Sequence, residues 1–231
     1  MVKDMTANVK EPAQLFRIEP RWPVALAILA VILLLMLLPE RVRLFPAWFP
    51  YVVGIAFIVP MAAVGLTAEK AWWLRVERTI MLLFIVFTGV GTLVNLANLI
   101  GGMVRRSAEI GGVQLLTSSI AVWVTNVLTF SLLYWQIDRG GPEARVRGAG
   151  NAGTKPDWLF PQTGAPEDAP PDWRPTFVDY LFLGFSTATA FSPTDALPLT
   201  SRAKLLMMLE SMISLVTIVV VAARAINILG S

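Results

Sequence analysis

Two groups of polar residues sit where an otherwise apolar chain has least reason to carry them. The first is Ser192-Pro193-Thr194-Asp195, approached through Thr187, Thr189, Ala190 and Phe191. The second is Glu210, Ser214, Thr217 and Arg224, within the long apolar run that follows. Steps of four, three and seven place the second group on one helix face, together with Val221. A carboxylate inside a membrane is expensive unless it meets water or a partner. The stripe therefore faces either an ion path or the short helix before it, from the same or a neighbouring subunit. Scaffolding and direct contact with permeating ions are both open for Glu210, while Arg224, near the helix end, either completes the stripe or snorkels to the interface. Hydroxyls, carboxylates and backbone carbonyls at membrane depth suit the passage of ions. They do not suit acid–base catalysis, because Glu210 is the lone carboxylate well inside a span, so no enzyme activity and no catalytic residues are expected. The chain has no Cys and no His, which removes disulfides, thiol chemistry, the usual zinc and haem ligands and the commonest general base. No cofactor or metal site is expected.

The element that must position the first group is the apolar run Phe177 to Phe191. As a helix it would be roughly 22 Å long, too short for a hydrocarbon core of about 30 Å, so it is expected to enter the membrane and turn back. Thr176 and Asp179 have capping-box spacing, with Pro175 just before them, which starts the helix at the interface. Its far end then points toward the bilayer midplane, where free carbonyls and the negative end of the helix dipole favour a cation. The polar return segment 192–195 is non-helical. Such backbone survives at membrane depth only when buried in protein or lining a water-filled cavity.

Read as a whole, Ser186 to Pro198 is S-T-A-T-A-F-S-P-T-D-A-L-P, and it resembles the pore module of tetrameric potassium channels, T-T-L-T-T-V-G-Y-G-D-x-x-P. Thr187, Thr189, Asp195 and Pro198 match without insertion or deletion. Ser192 and Thr194 stand where that pattern has its filter glycines, and Pro193 where it has its aromatic. A Ser-Pro-Thr run does not readily repeat the carbonyl geometry of a glycine filter, so potassium selectivity is not carried over. The stretch from Asp179 through T-S-R-A-K-L-L-M-M-L-E to A-A-R-A-I-N-I-L is also similar to an uncharacterised family of bacterial integral membrane proteins that share this channel-like ending. The resemblance implies a homotetramer around an ion path, in a bacterial inner (plasma) membrane. Phe191 stands where the channel pattern has a valine whose side chain faces away from the axis; here it either packs behind the loop or forms an apolar constriction that gates by dewetting.

Composition agrees with a polytopic membrane protein: 55% hydrophobic, 15% charged, mean hydropathy +0.64. The pI near 9.5 rests on a net charge of only +3. Basic loops beside membrane helices account for it, and nucleic-acid binding is not expected. After a polar tail over 1–21, spans are expected at Trp22–Leu38, Pro46–Leu66, Thr79–Ile100 and Val113–Tyr134, with the last at Ala203–Leu229. Asn95, Asn98 and Asn126 lie inside spans and serve either helix packing or an ion path. No span carries the arginine ladder of a voltage sensor, and no internal repeat is evident. Asp138–Arg174 is a Gly- and Pro-rich connector whose second half, with Trp158, Phe160 and Trp173, forms either a cap or a plain linker.

The expected architecture is all-α: five transmembrane helices and one re-entrant pore helix. A three-helix peripheral region (22–112) precedes a pore-like module (113–231). The expected function is an ion channel passing monovalent cations with weak selectivity, embedded in the lipid bilayer and self-associating. A secondary transporter using the re-entrant segment, and an accessory membrane protein whose loop is structural, are the other readings. The tail, the 67–78 link, the connector and the start of the last helix share one side, which carries most of the 19 Lys and Arg. The positive-inside rule makes that side cytoplasmic, whereas the channel resemblance makes it external.

Overall fold

The computed structural model describes residues 21–37, 52, 55–56, 71–105, 112–147, 155–171, 173–189 and 196–229. Within them the chain is mostly helical. The principal helices are α1 (Trp22–Leu37), α2 (Ala71–Arg105), α3 (Gly112–Ile137), α6 (Phe177–Thr189) and α7 (Ser201–Leu229). Two short helices, α4 (Pro142–Arg147) and α5 (Pro161–Gly164), lie in the connector. Three helices are long and apolar enough to cross a membrane: Arg75–Gly101 within α2, Leu116–Gly140 over α3, and Ser201–Ala223 within α7. The chain is therefore a membrane protein by length and composition. Of the other two expected spans, the first is the 16-residue α1, at the short limit. The second, 46–66, lies outside the described residues save for positions 52, 55 and 56.

Each long helix buries one stripe. On α1, Val24, Ala27, Ile28, Val31 and Ile32 are buried while Leu26, Leu29 and Leu33 are exposed, the i, i+3, i+4 spacing of a packed face. On α2 the same periodicity buries Met81, Phe84, Ile85, Thr88, Thr92, Asn95, Leu96 and Leu99. α3 is the central helix: 61% of its apolar window is buried, against 22% for α7. It touches α1, α2, α6 and α7.

Contacts near the helix ends fix their directions. The Arg21 guanidinium meets Glu77 at 2.5 Å, joining the start of α1 to the first turns of α2. At the end of α3, Asp138 is reached by Tyr180 from the start of α6, and Asp157 beside it is reached by Arg202 from the start of α7. So α1, α2, α6 and α7 start at one end of the bundle, and α3 runs against them.

The connector's described parts are ordered at that same end. A 3₁₀ turn over Asp138–Gly140 reverses the chain through Arg139 (φ 52°), Gly140 (φ 82°) and Gly141 (φ 102°). A Cβ on Gly141 would come within 3.0 Å of the Gln136 carbonyl oxygen, so the reversal needs glycine there. Further on, strand β1 (Trp158–Leu159) pairs antiparallel with β2 (Leu197–Pro198), Trp158 opposite Pro198. This two-residue ladder is the described departure from an all-helical chain. Trp158 is fully buried, 4.8 Å ring to ring from Tyr134, and Phe160 packs on Trp173 and Tyr180. Of the two alternatives for the second half of the connector, cap and linker, the cap is what forms.

Candidate functional site

The start of α6 has the reach-back half of the capping box its spacing predicts, while the Asp179 N–H goes to the Thr176 backbone carbonyl at 3.0 Å instead of to the Thr176 hydroxyl. The Asp179 carboxylate accepts from the Thr176 backbone N–H at 2.7 Å and from the Thr176 hydroxyl at 2.8 Å. One residue later the Tyr180 hydroxyl donates to Asp138 at 2.6 Å. The other Asp138 oxygen accepts from the Asp157 N–H at 2.7 Å. Arg145 lies over the Tyr180 ring at 5.0 Å and donates to the Trp135 and Asp138 carbonyls. Asp157 in turn accepts from Thr200 and from Arg202 Nε, each at 2.6 Å. One ionic cluster thus ties the end of α3, the connector, α6 and α7 together.

Deeper in the bundle, α6 lies directly on α3 and α7 at Gly184. A carbon at the Cβ position of Gly184 would be 2.4 Å from Ser131 Oγ and 3.3 Å from both the Glu210 Oε1 atom and the Val127 carbonyl oxygen. Any side chain here would require Ser131 to rotate or α6 to move away. Glu210 is wholly buried there, its Oε2 accepting from the Tyr134 hydroxyl at 2.5 Å. The neighbouring stripe residues are buried too. Asn126 of α3 donates to the Glu210 carbonyl at 3.2 Å and to Ser214 Oγ at 3.0 Å, and Thr217 donates to its own helix at Ile213. Glu210 therefore faces α3 and α6 of its own chain, Ser214 faces α3, Thr217 is buried on the same side, and the opposite face of α7 exposes Leu205, Met208, Met212, Leu215, Ile218 and Val219. The Arg224 side chain lies outside the described residues.

Of the loop group, Thr187 and Thr189 close the last turn of α6. Thr187 is buried and donates to Leu183 at 2.8 Å; Thr189 donates to Phe185 at 3.0 Å. Ala190, Phe191, Ser192, Pro193, Thr194 and Asp195 lie outside the described residues. The Thr187 carbonyl accepts from Ser211 at 3.1 Å, ten residues into α7, or about 15 Å along it. Among the span amides, Asn95 is buried, Asn98 exposed, and Asn126 bonds across to α7.

Several residues that build this site carried no signal in the sequence reading. Tyr134, Asp138, Asp157, Tyr180 and Arg202 acquire their roles from hydrogen-bond partners 42 to 76 positions away, and Ser131 from its packing beside Gly184. The available hints were Gly184 in the middle of a helix and Asp138 at the close of a span. No protein-family profile, curated protein or solved structure matches the chain.

Proposed function

We propose that the chain is one subunit of an oligomeric membrane pore that conducts monovalent cations, with α6 as a re-entrant helix. The observation that carries this reading is depth. α6 has 13 residues, about 20 Å, and begins at the end of the bundle where α7 also begins. Its last turn meets Ser211, about 15 Å along α7 and near the middle of a hydrocarbon core of about 30 Å. By Leu197 the chain is back at the cap, paired with β1. A helix that stops at half depth aims its negative end, and the segment after it, at the midplane. α1 and α2 both enter from the same end, as a further crossing over 46–66 would require, and five spans with one re-entrant helix is the arrangement we infer.

A single loop cannot enclose a hole, so conduction requires a ring. The channel resemblance of Ser186–Pro198 makes the ring four copies in a bacterial inner membrane. The exposed apolar faces of α6 (Val178, Phe182, Phe185) and α7 suit lipid or neighbouring copies. A second reading, an accessory membrane protein whose loop is structural, draws support from the inward-facing stripe, whose described polar side chains are buried within one chain.

Single-channel recording in planar bilayers under asymmetric salt separates the two. The pore reading expects unitary currents that reverse near the cation potential and shrink in Asp195→Asn. Silent bilayers, or reversal that follows chloride, would remove it, as would a monomer in native mass spectrometry.

A further inference from the structure

The hydrogen bonds around the Glu210 carboxyl do not close. Oε2 has the Tyr134 hydroxyl at 2.5 Å, whereas Oε1 is buried and has no hydrogen-bond partner among the described residues. Oε1, Ser131 Oγ and the Val127 carbonyl oxygen all border the space beside Gly184 that a Cβ would enter. The Ser131 hydrogen is already directed at Val127, at 2.7 Å. Asn126 spends both amide hydrogens on the Glu210 carbonyl and Ser214. No arginine or lysine is bonded to Glu210 in the described residues; Arg145 and Arg202 serve the Asp138–Asp157 cluster at the cap. Oε1 is therefore a fully buried carboxyl oxygen that none of the described donors reaches. A Cβ added at Gly184 would lie 2.4 Å from Ser131 Oγ, so α6 packs close against α3 beside this carboxyl.

We propose that Glu210 is a proton-binding site, its buried carboxyl carrying the proton on Oε1 where α3, α6 and α7 meet. The proton completes the contact that seats α6. Without it, a bare carboxylate oxygen would be buried with no donor, and the three helices would have to part to admit water. The titratable group facing Glu210 from α3 is Tyr134; α6 presents Gly184, which has no side chain. The site stands whether or not the assembly conducts.

Infrared difference spectroscopy of the full chain reconstituted in lipid, wild type minus Glu210→Gln, tests it at neutral pH. The expected result is a carboxylic-acid C=O stretch present in the wild type and lost in Glu210→Gln. The amide can accept from Tyr134 and donate where the acid did, so this variant should melt with the wild type. The same band should shift in Tyr134→Phe, which removes the donor to Oε2, and in Ser131→Ala, which removes a polar neighbour at the Gly184 contact, and these variants carry the test if Glu210→Gln does not fold. A difference spectrum containing only carboxylate bands, or no carboxylic band that responds to any of the three substitutions, would overturn the proposal.

Discussion

Replacing Gly184 by alanine isolates the contact on which the seating of α6 depends. The added carbon would stand 2.4 Å from Ser131 Oγ and 3.3 Å from Glu210 Oε1 and the Val127 carbonyl. Ordinary contact begins near 3.4 Å, so either α6 retreats by about 1 Å or Ser131 rotates and gives up its bond to Val127. Overpacking of this kind costs roughly 1–3 kcal/mol, and loss of the serine bond costs about 1 kcal/mol. Alanine is also the better helix former by about 1 kcal/mol, which masks part of the loss in the single variant. A double-mutant cycle removes that mask, because the helix preference is the same in both backgrounds. With Ser131→Ala in place the 2.4 Å clash is gone and only the two 3.3 Å contacts remain. Gly184→Ala should then be tolerated, giving a favourable coupling of about 1–3 kcal/mol. Equilibrium unfolding of the four proteins in one lipid or detergent system measures it. Strict additivity, or a Gly184→Ala protein as stable as the wild type in both backgrounds, would refute the close approach and with it the seating of α6.

Tyr134→Phe leaves Glu210 Oε2 buried without its donor, and thermal unfolding should register a loss of about 1–3 kcal/mol. Asp157→Ala removes the acceptor for Thr200 and Arg202 and should destabilise by about 1–3 kcal/mol. Arg202→Ala should lose less, on the order of 1 kcal/mol or below, because the arginine side chain is 58% exposed and screened by water; the reverse ranking would mean the cluster is not organised on Asp157. For the loop, Phe191→Ala should raise resting current in bilayers if the ring plugs the axis and lower or abolish it if the ring packs behind the loop.

Hydropathy and spacing reveal the parts of this chain that depend on local physics. Apolar runs read as spans Thr79–Ile100, Val113–Tyr134 and Ala203–Leu229 appear as α2, α3 and α7, extended at most of their ends by polar and interfacial residues that stay helical. The capping box of Thr176 and Asp179 is legible because both partners lie within one turn. The common face of Glu210, Ser214 and Thr217 is legible because helical periodicity alone sets it. Which way that face turns is a different kind of fact. It depends on α3 presenting Tyr134 and Asn126 at the matching height, on a glycine letting α6 close over them, and on a cap fixed by Asp138 and Asp157. Those partners are remote in sequence, and no periodicity links them. The sequence therefore determined that buried polar groups exist and on which helix faces, because that follows from composition and pitch. Only the tertiary structure decided that they meet each other inside a single chain, because burial makes each polar atom seek a partner wherever the packed helices bring one near.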